Sequence, residues 1–210
     1  MRSGSTKLIW KGENISFYRD QLENFLSKLT IECNFCLDIG GSAWEIGNRL
    51  RSLICKEYLI MDNEAEKELS KKWRKPDIVW DINDSLGDMH DFGKYKEHFD
   101  VILMLEVVEY IWDLPQTFRN IHWLLGDGGK LYFSAPFIYP IHNPTEIDYV
   151  RVTANGIGKI LQKTGFSKWE IIPRYAKNPD LLMAFFQSDG MHPAKFEEHG
   201  ITGFIVTATK

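Results

Sequence analysis

The chain has 210 residues, 44% of them hydrophobic, and its 29 Asp and Glu against 25 Lys and Arg leave a formal net charge of -4. That length suits one domain, 1–210, with a substantial core, and the acid excess argues against a nucleic-acid surface. No run of about 18 apolar residues offers a membrane span, and the apolar Leu8–Trp10 is too short for a signal peptide.

Residues 1–30 read as an N-terminal helical segment. Tyr18, Leu22, Phe25, Leu26 and Leu29 recur at helical spacing, and Ser16 stands where a cap is needed. Such a helix packs on a sheet, and it can also close over a pocket, which makes Tyr18 and Arg19 candidate ligand contacts. Cys33 and Cys36 form a C-x-x-C beside an apolar run, with Cys55 further on. With no second C-x-x-C they read as buried structural thiols, not a zinc or redox centre. Reduced cysteines fit a cytoplasmic protein.

Cys36 to Gly47 predicts a strand, a bare turn and a helix. Apolar residues run into Asp38, small residues follow at Gly40, Gly41, Ser42 and Ala43, and Ile46, Leu50, Leu53 and Ile54 share a helical face. Glycine lets a ligand approach the backbone, and a helix start offers N–H groups to an anion. The dinucleotide pattern G-x-G-x-x-G is missing, because Ser42 and Glu45 stand where it needs glycine. A nicotinamide-dependent oxidoreductase is thereby disfavoured. Glu57–Asp62 predicts a second strand, whose terminal Asp62, followed by Asn63, would sit beside the first turn and accept from ribose hydroxyls. Glu64–Trp73 predicts a surface helix stopped by Pro76. Asp77–Asp81 is a third short strand running into an acidic turn.

Val101–Leu105 suits a central strand buried on both faces, leading into Glu106-Val-Val-Glu109-Tyr110. Asp113–Leu125 predicts a helix with Pro115 in its first turn, ended by Gly126-Asp-Gly-Gly129. Lys130–Pro136 is a fifth strand. A long loop follows, carrying Tyr139, His142, Asp148, Tyr149 and Arg151 at the end of a central strand, where open α/β sheets bind ligands. Thr153 caps the next helix and Gly165 ends it. Ser167–Pro173 and Gly203–Thr209 are the last strands. The insert over 174–200 between them reads as a lid or a contact in a homodimer.

Several of these stretches resemble class I S-adenosylmethionine-dependent methyltransferases. Leu37, Asp38, Ile39 and Gly40 match motif I, although Ser42 and Trp44 replace its usual glycines. Phe99, Asp100, Glu106, Val107 and Glu109 match an F-D-x-V-x-x-x-E-V-L-E-H segment, with Tyr110 for the usual His. His142, Asp148, Tyr149, Arg151 and Thr153 match an H-x-x-P-x-D-Y-x-R-x-T stretch associated with glycan and other small-molecule biosynthesis, with one residue inserted. The resemblance implies an α/β, Rossmann-like, doubly wound seven-stranded sheet in the order 3-2-1-4-5-7-6 with strand 7 antiparallel. It also implies S-adenosyl-L-methionine as cofactor, a small-molecule acceptor and no metal. Cofactor contacts would be Asp38, Gly40, Gly41, Ser42, Asp62, Asn63, Asp81 facing the adenine amino group, Ile82 along the ring, Leu105 and Glu106. The acceptor would meet Tyr18, Tyr139, His142, Tyr149 and Arg151. His142 is the leading candidate base, with Tyr110 and Asp148 behind it. The alternative is a non-catalytic binding or scaffold domain in which Trp44 fills the methionine pocket.

Overall fold

A computed structural model describes residues 16–63, 74–85, 92–188, 190 and 200–210. The expected Glu64–Trp73 helix and the His192-Pro193 part of the insert lie outside the described residues.

The strands are β1 (Thr30–Ile39), β2 (Ser52–Asp62), β3 (Ile78–Val79), β4 (Phe99–Met104), β5 (Leu125–Pro136), β6 (Lys168–Tyr175) and β7 (Ile201–Thr209). They form one sheet in the order β3-β2-β1-β4-β5-β7-β6. β1 to β5 pair in parallel, and β7 runs antiparallel to both β5 and β6. The helices are α1 (Phe17–Leu26), α2 (Leu114–Leu124), α3 (Ala154–Lys163) and α4 (Pro179–Ser188).

Two apolar layers sandwich the sheet. On one face Phe118, Ile121 and Leu124 of α2 and Ile157 and Leu161 of α3 pack on Leu37, Ile39, Ile102, Met104 and Phe133. On the other, Leu22 and Leu26 of α1 pack on Cys36, Val101, Leu103, Tyr132 and Ile205. Capping at Ser16 and Thr153 matches expectation, and Asp113 caps α2 as well: the three accept from the N–H groups of Arg19, Gly156 and Gln116. These caps satisfy orphan donors at helix starts.

The first crossover corrects the sequence reading. No α-helix follows the glycine turn. Only a 3-10 turn, Ile46–Arg49, separates it from β2, and Leu53 and Ile54 lie in the strand. β1 is 10 residues long and pairs with β2 from Thr30↔Ser52 to Ile39↔Met61. A helix through Leu53 would leave the amino half of β1 without that partner. A smaller correction concerns β5, which begins at Leu125, so Gly126–Gly129 form its first turn of extended chain, not a helix stop.

Within β1 the in-out alternation slips once. Ile31, Cys33 and Cys36 face the α1 layer, whereas Phe35, Leu37 and Ile39 face the α2 layer. Asp100 Oδ2 accepts from the N–H groups of both Asn34 and Phe35, at 2.7 and 3.0 Å. Two successive donors on one acceptor are what such a slip requires. β2 slips in step, with Leu53, Cys55 and Tyr58 toward α1 and Leu59 and Met61 toward α2.

Candidate functional site

All four parallel inner strands end at one edge of the sheet, and the turn after β1 organises that edge. Gly40 has φ +78 and donates its N–H to Met61 O at 2.8 Å. A Cβ on Gly40 would meet Val107 Cγ2 at 2.6 Å, and one on Gly41 would meet the Asp38 carboxyl carbon at 2.6 Å. Glycine is therefore required at Gly40 by backbone shape and by space, and at Gly41 by space.

Asp38 is fully buried beneath this turn. Its Oδ2 accepts from Ile46 N at 2.7 Å and from the Tyr58 hydroxyl, which in turn accepts from Gly47 N. Burial pushes the Asp38 carboxyl up to about 7, against the opposing pull of the Tyr58 and Ile46 hydrogen bonds. Asp62 ends β2 next to the same turn. Its Oδ2 accepts from Ser42 N at 3.1 Å and its Oδ1 from Asn63 N at 3.0 Å. Asp81 Oδ1 accepts from the backbone and side-chain N–H groups of Asn83, both at 2.9 Å. The Ile82 side chain packs in the α2-side core, and its carbonyl accepts from Thr117 and Asn120.

At the end of β4, Leu105 is buried and Glu106 adopts φ +59, a left-handed conformation that a residue with Cβ holds only under restraint. The restraint is visible. Glu106 N donates to Ser134 Oγ at 2.7 Å, and Ser134 Oγ donates to Glu106 Oε1 at 2.7 Å. Arg174 Nη2 donates to the same Oε1 at 3.0 Å. Ser134 and Arg174 are 0% and 1% exposed.

From Arg174 an aromatic row runs along the edge. The guanidinium lies 3.5 Å from the Tyr18 ring centre, and its Nη2 also contacts the Tyr18 hydroxyl. Burial, with the Glu106 charge behind it, raises the Tyr18 hydroxyl well above the ordinary phenol range. Tyr18 packs on Tyr139 at 4.6 Å, Tyr139 lies 6.3 Å from His142, and His142 meets Tyr110 edge-on at 5.6 Å. The Tyr110 hydroxyl contacts His142 Nδ1 and donates to Asn143 O at 3.1 Å. His142 N donates to Asp148 Oδ2 at 2.6 Å. Arg151 Nη2 donates to the same oxygen at 2.7 Å, and Arg151 holds the Asp148 carboxyl below its usual range. Tyr149 is half exposed and joins only through its backbone N–H, to Glu109 O at 2.7 Å.

A family model described as a methyltransferase domain matches residues 36–171. The chain belongs to that methyltransferase family. Its fold is similar to those of a SAM-dependent methyltransferase from Archaeoglobus fulgidus (TM-score 0.59, 15% identity, 92% of each chain covered) and one from Mesorhizobium loti (0.57, 15%, 93% and 98%). It is also similar to phosphoethanolamine N-methyltransferase 2 of Haemonchus contortus in complex with S-adenosyl-L-methionine (0.50, 12%), where it spans 91% of this chain and 51% of that one. The sequence finds no significant match among curated proteins.

The methyltransferase edge thus brings together most of the residues expected from sequence. Asp38, Gly40, Gly41, Ser42, Asp62 and Asn63 share the first turn. Tyr18, Tyr139, His142, Tyr110, Asp148 and Arg151 form one contiguous row. Trp44 is 49% exposed with Arg19 5.3 Å above its ring, so it does not fill a buried pocket. Sequence reasoning missed Tyr58, Ser134 and Arg174. Ser134 left one signal, a small polar side chain between Phe133 and Ala135 in the run 131–136, otherwise of apolar and aromatic residues. Glu109 was matched but given no role. It is 4% exposed, its Oε2 lacks a partner among the described residues, and burial plus the Glu106 charge push it up to about 8.

Proposed function

We propose that this chain transfers a methyl group from S-adenosyl-L-methionine to a hydroxyl or amine of a small-molecule acceptor, with sugars among the candidates. The observation carrying this reading is that the glycine turn beside Asp62 lies by Gly40 against Val107, the residue after Glu106, while Arg174 ties Glu106 to the Tyr18–Tyr139–His142–Tyr110 row.

The residues fit the cofactor. Asp38 Oδ1, Ser42 Oγ and Asn63 Oδ1 are buried without partners among the described residues. Buried oxygens without partners are costly and are completed by a ligand bearing hydroxyl and amino donors. Asp62 and Asn63 would hold the ribose, the Gly40–Ser42 backbone would pass close to the ligand, and Asp81 Oδ2 would take the adenine amino group. Leu105 and Glu106 complete the set at the end of β4. When bound, the sulfonium supplies an electrophilic methyl group.

The chain's own work is positioning and proton removal. A hydroxyl or ammonium acceptor must lose a proton as its oxygen or nitrogen bonds to the methyl carbon. The base-competent arrangement is the one in which the single Tyr110 hydroxyl proton goes to Asn143 O. The contact between Tyr110 and His142 is then made by Nδ1–H, which leaves the lone pair on His142 Nε2 to accept that proton. Asp148, engaged by Arg151 and His142 N, orients the loop and is not itself the base. The acid excess of the chain supports a small acceptor over a nucleic acid, and its free thiols support a cytoplasmic location.

Calorimetric titration with S-adenosyl-L-methionine tests the cofactor half. Mass-spectrometric screening of sugars, amines and carboxylates for a product heavier by one methylene tests the acceptor half. Absence of cofactor binding would leave the scaffold reading in its place.

A further inference from the structure

The three cysteines were expected to be buried structural thiols. Only Cys36 is buried, while Cys33 and Cys55 are partly exposed and all three are free. The alternation slip in β1 turns Cys33 and Cys36 to the same face, and the matching slip in β2 brings Cys55 to that face as well. Cys33 and Cys55 are direct partners in the parallel pairing of β1 with β2. β2 pairs with β3 only at Met61 and Asp62, so its amino half lies open on its outer side among the described residues. Ile54, next to Cys55, is 58% exposed.

We propose that Cys33 and Cys55 form a reversible thiol–disulfide site that reacts with hydroperoxides. The site is independent of the methyl-transfer reading, with Cys33 in the amino half of β1 and Asp38 next to its carboxyl end.

Distance decides which pair closes. Partners on adjacent strands have Cα atoms about 4.8 Å apart, inside the span a disulfide bridges. Cys33 and Cys36 are three residues apart along one strand whose register with β2 runs from Thr30 to Ile39. That separation is roughly 10 Å, beyond the about 7 Å limit. Cys36 touches Cys33 by side chain only, and its hydrogen bond lowers the Cys33 thiol from its ordinary range while the Cys36 thiol is raised. A partly exposed thiol of lowered pKa beside a resolving thiol is the arrangement of oxidation-sensitive cysteines.

The chemistry balances in two steps. The Cys33 thiolate attacks one peroxide oxygen, the O–O bond breaks, and hydroxide or alkoxide leaves and takes up a proton. Cys33 is then a sulfenic acid. The Cys55 sulfur attacks the Cys33 sulfur, the S–O bond breaks, and water leaves with the thiol proton. Two thiols have given two electrons to the hydroperoxide. Side chains on adjacent parallel strands hold their Cβ atoms further apart than a relaxed disulfide prefers, so the bond forms under strain and is readily reduced.

The test is peptide mapping of the intact, reduced chain after exposure to hydrogen peroxide in dilute solution. Trypsin leaves Cys55 in the peptide Ser52–Lys56 and both Cys33 and Cys36 in Leu29–Arg49. The expected product is those two peptides joined, two hydrogens lighter than their sum, with fragmentation placing the bridge on Cys33 and leaving Cys36 alkylatable. Dithiothreitol should separate them. In the Cys55→Ser variant, Cys33 should instead be captured by dimedone as a sulfenic acid. Three unreacted thiols, a bridge on Cys36, or a bridge only between two chains would each overturn the proposal.

Discussion

Replacing Arg174 with methionine tests whether the buried ionic seam joins the two halves of the site. Methionine keeps much of the stem's volume and removes the charge. Glu106 then loses a hydrogen-bonded cation at 3.0 Å, and Tyr18 loses the guanidinium at 3.5 Å from its ring centre. Removing one partner of a buried pair costs about 3–5 kcal/mol. The Glu106 side chain is 27% exposed and keeps its bond from Ser134, which moves the expectation to the lower end of that range. A loss of about 3 kcal/mol lowers the Tm of a chain this size by roughly 6–12 °C. The double variant Arg174→Met, Glu106→Gln removes both charges, and it should recover about 1–2 kcal/mol of the loss because no carboxylate is left uncompensated. Urea unfolding followed by tryptophan fluorescence measures all four corners of the cycle. A single variant within about 0.5 kcal/mol of the parent would refute the seam. So would a double variant whose loss equals the sum of the singles, since that means no coupling.

Asp38→Asn should flatten the acid side of the stability profile. Burial pushes the folded carboxyl up to about 7 from its ordinary value of 3.8, so the folded state holds this proton more tightly than the unfolded chain. Its contribution is complete below about pH 4 and is lost as pH rises through about 7. The asparagine variant lacks that loss, and its Tm relative to the parent should climb across the interval; parallel curves would contradict the assignment. His142→Ala should reduce turnover about a hundredfold or more while cofactor affinity stays within error in calorimetry. Near-parental turnover would make His142 structural. Asp62→Ala should weaken cofactor binding by at least about 1–3 kcal/mol, because the carboxylate also anchors Ser42 N and Asn63 N. An unchanged dissociation constant would remove Asp62 from the site.

Legibility followed the range of the interactions involved. Caps at Ser16 and Thr153 were readable because each closes within three residues. The sheet order was readable from the succession of strand ends together with the family resemblance. The first crossover was not. Ile46, Leu50, Leu53 and Ile54 carry a true helical spacing, but the demand that overrode it came from β1, whose amino half needed a neighbour. Periodicity sees one segment, and strand pairing is a property of two.

The same distinction separates the aromatic row from its support. Tyr18, His142, Asp148 and Arg151 could be named because each sits in a loop or helix where a polar group invites a question about its purpose. Ser134 and Arg174 sit in strands, far apart in sequence, and become meaningful only where β5 and β6 end beside Glu106. Neither residue has a local reason to be polar. A left-handed Glu106 explains both, since its N–H needs Ser134 and its carboxylate needs Arg174. Their burial is therefore a consequence of one backbone conformation at the end of β4. That conformation sets Glu106 between Val107, which lies against Gly40 of the glycine turn, and Arg174, where the aromatic row begins. Any change that lets Glu106 relax should disturb both sides together.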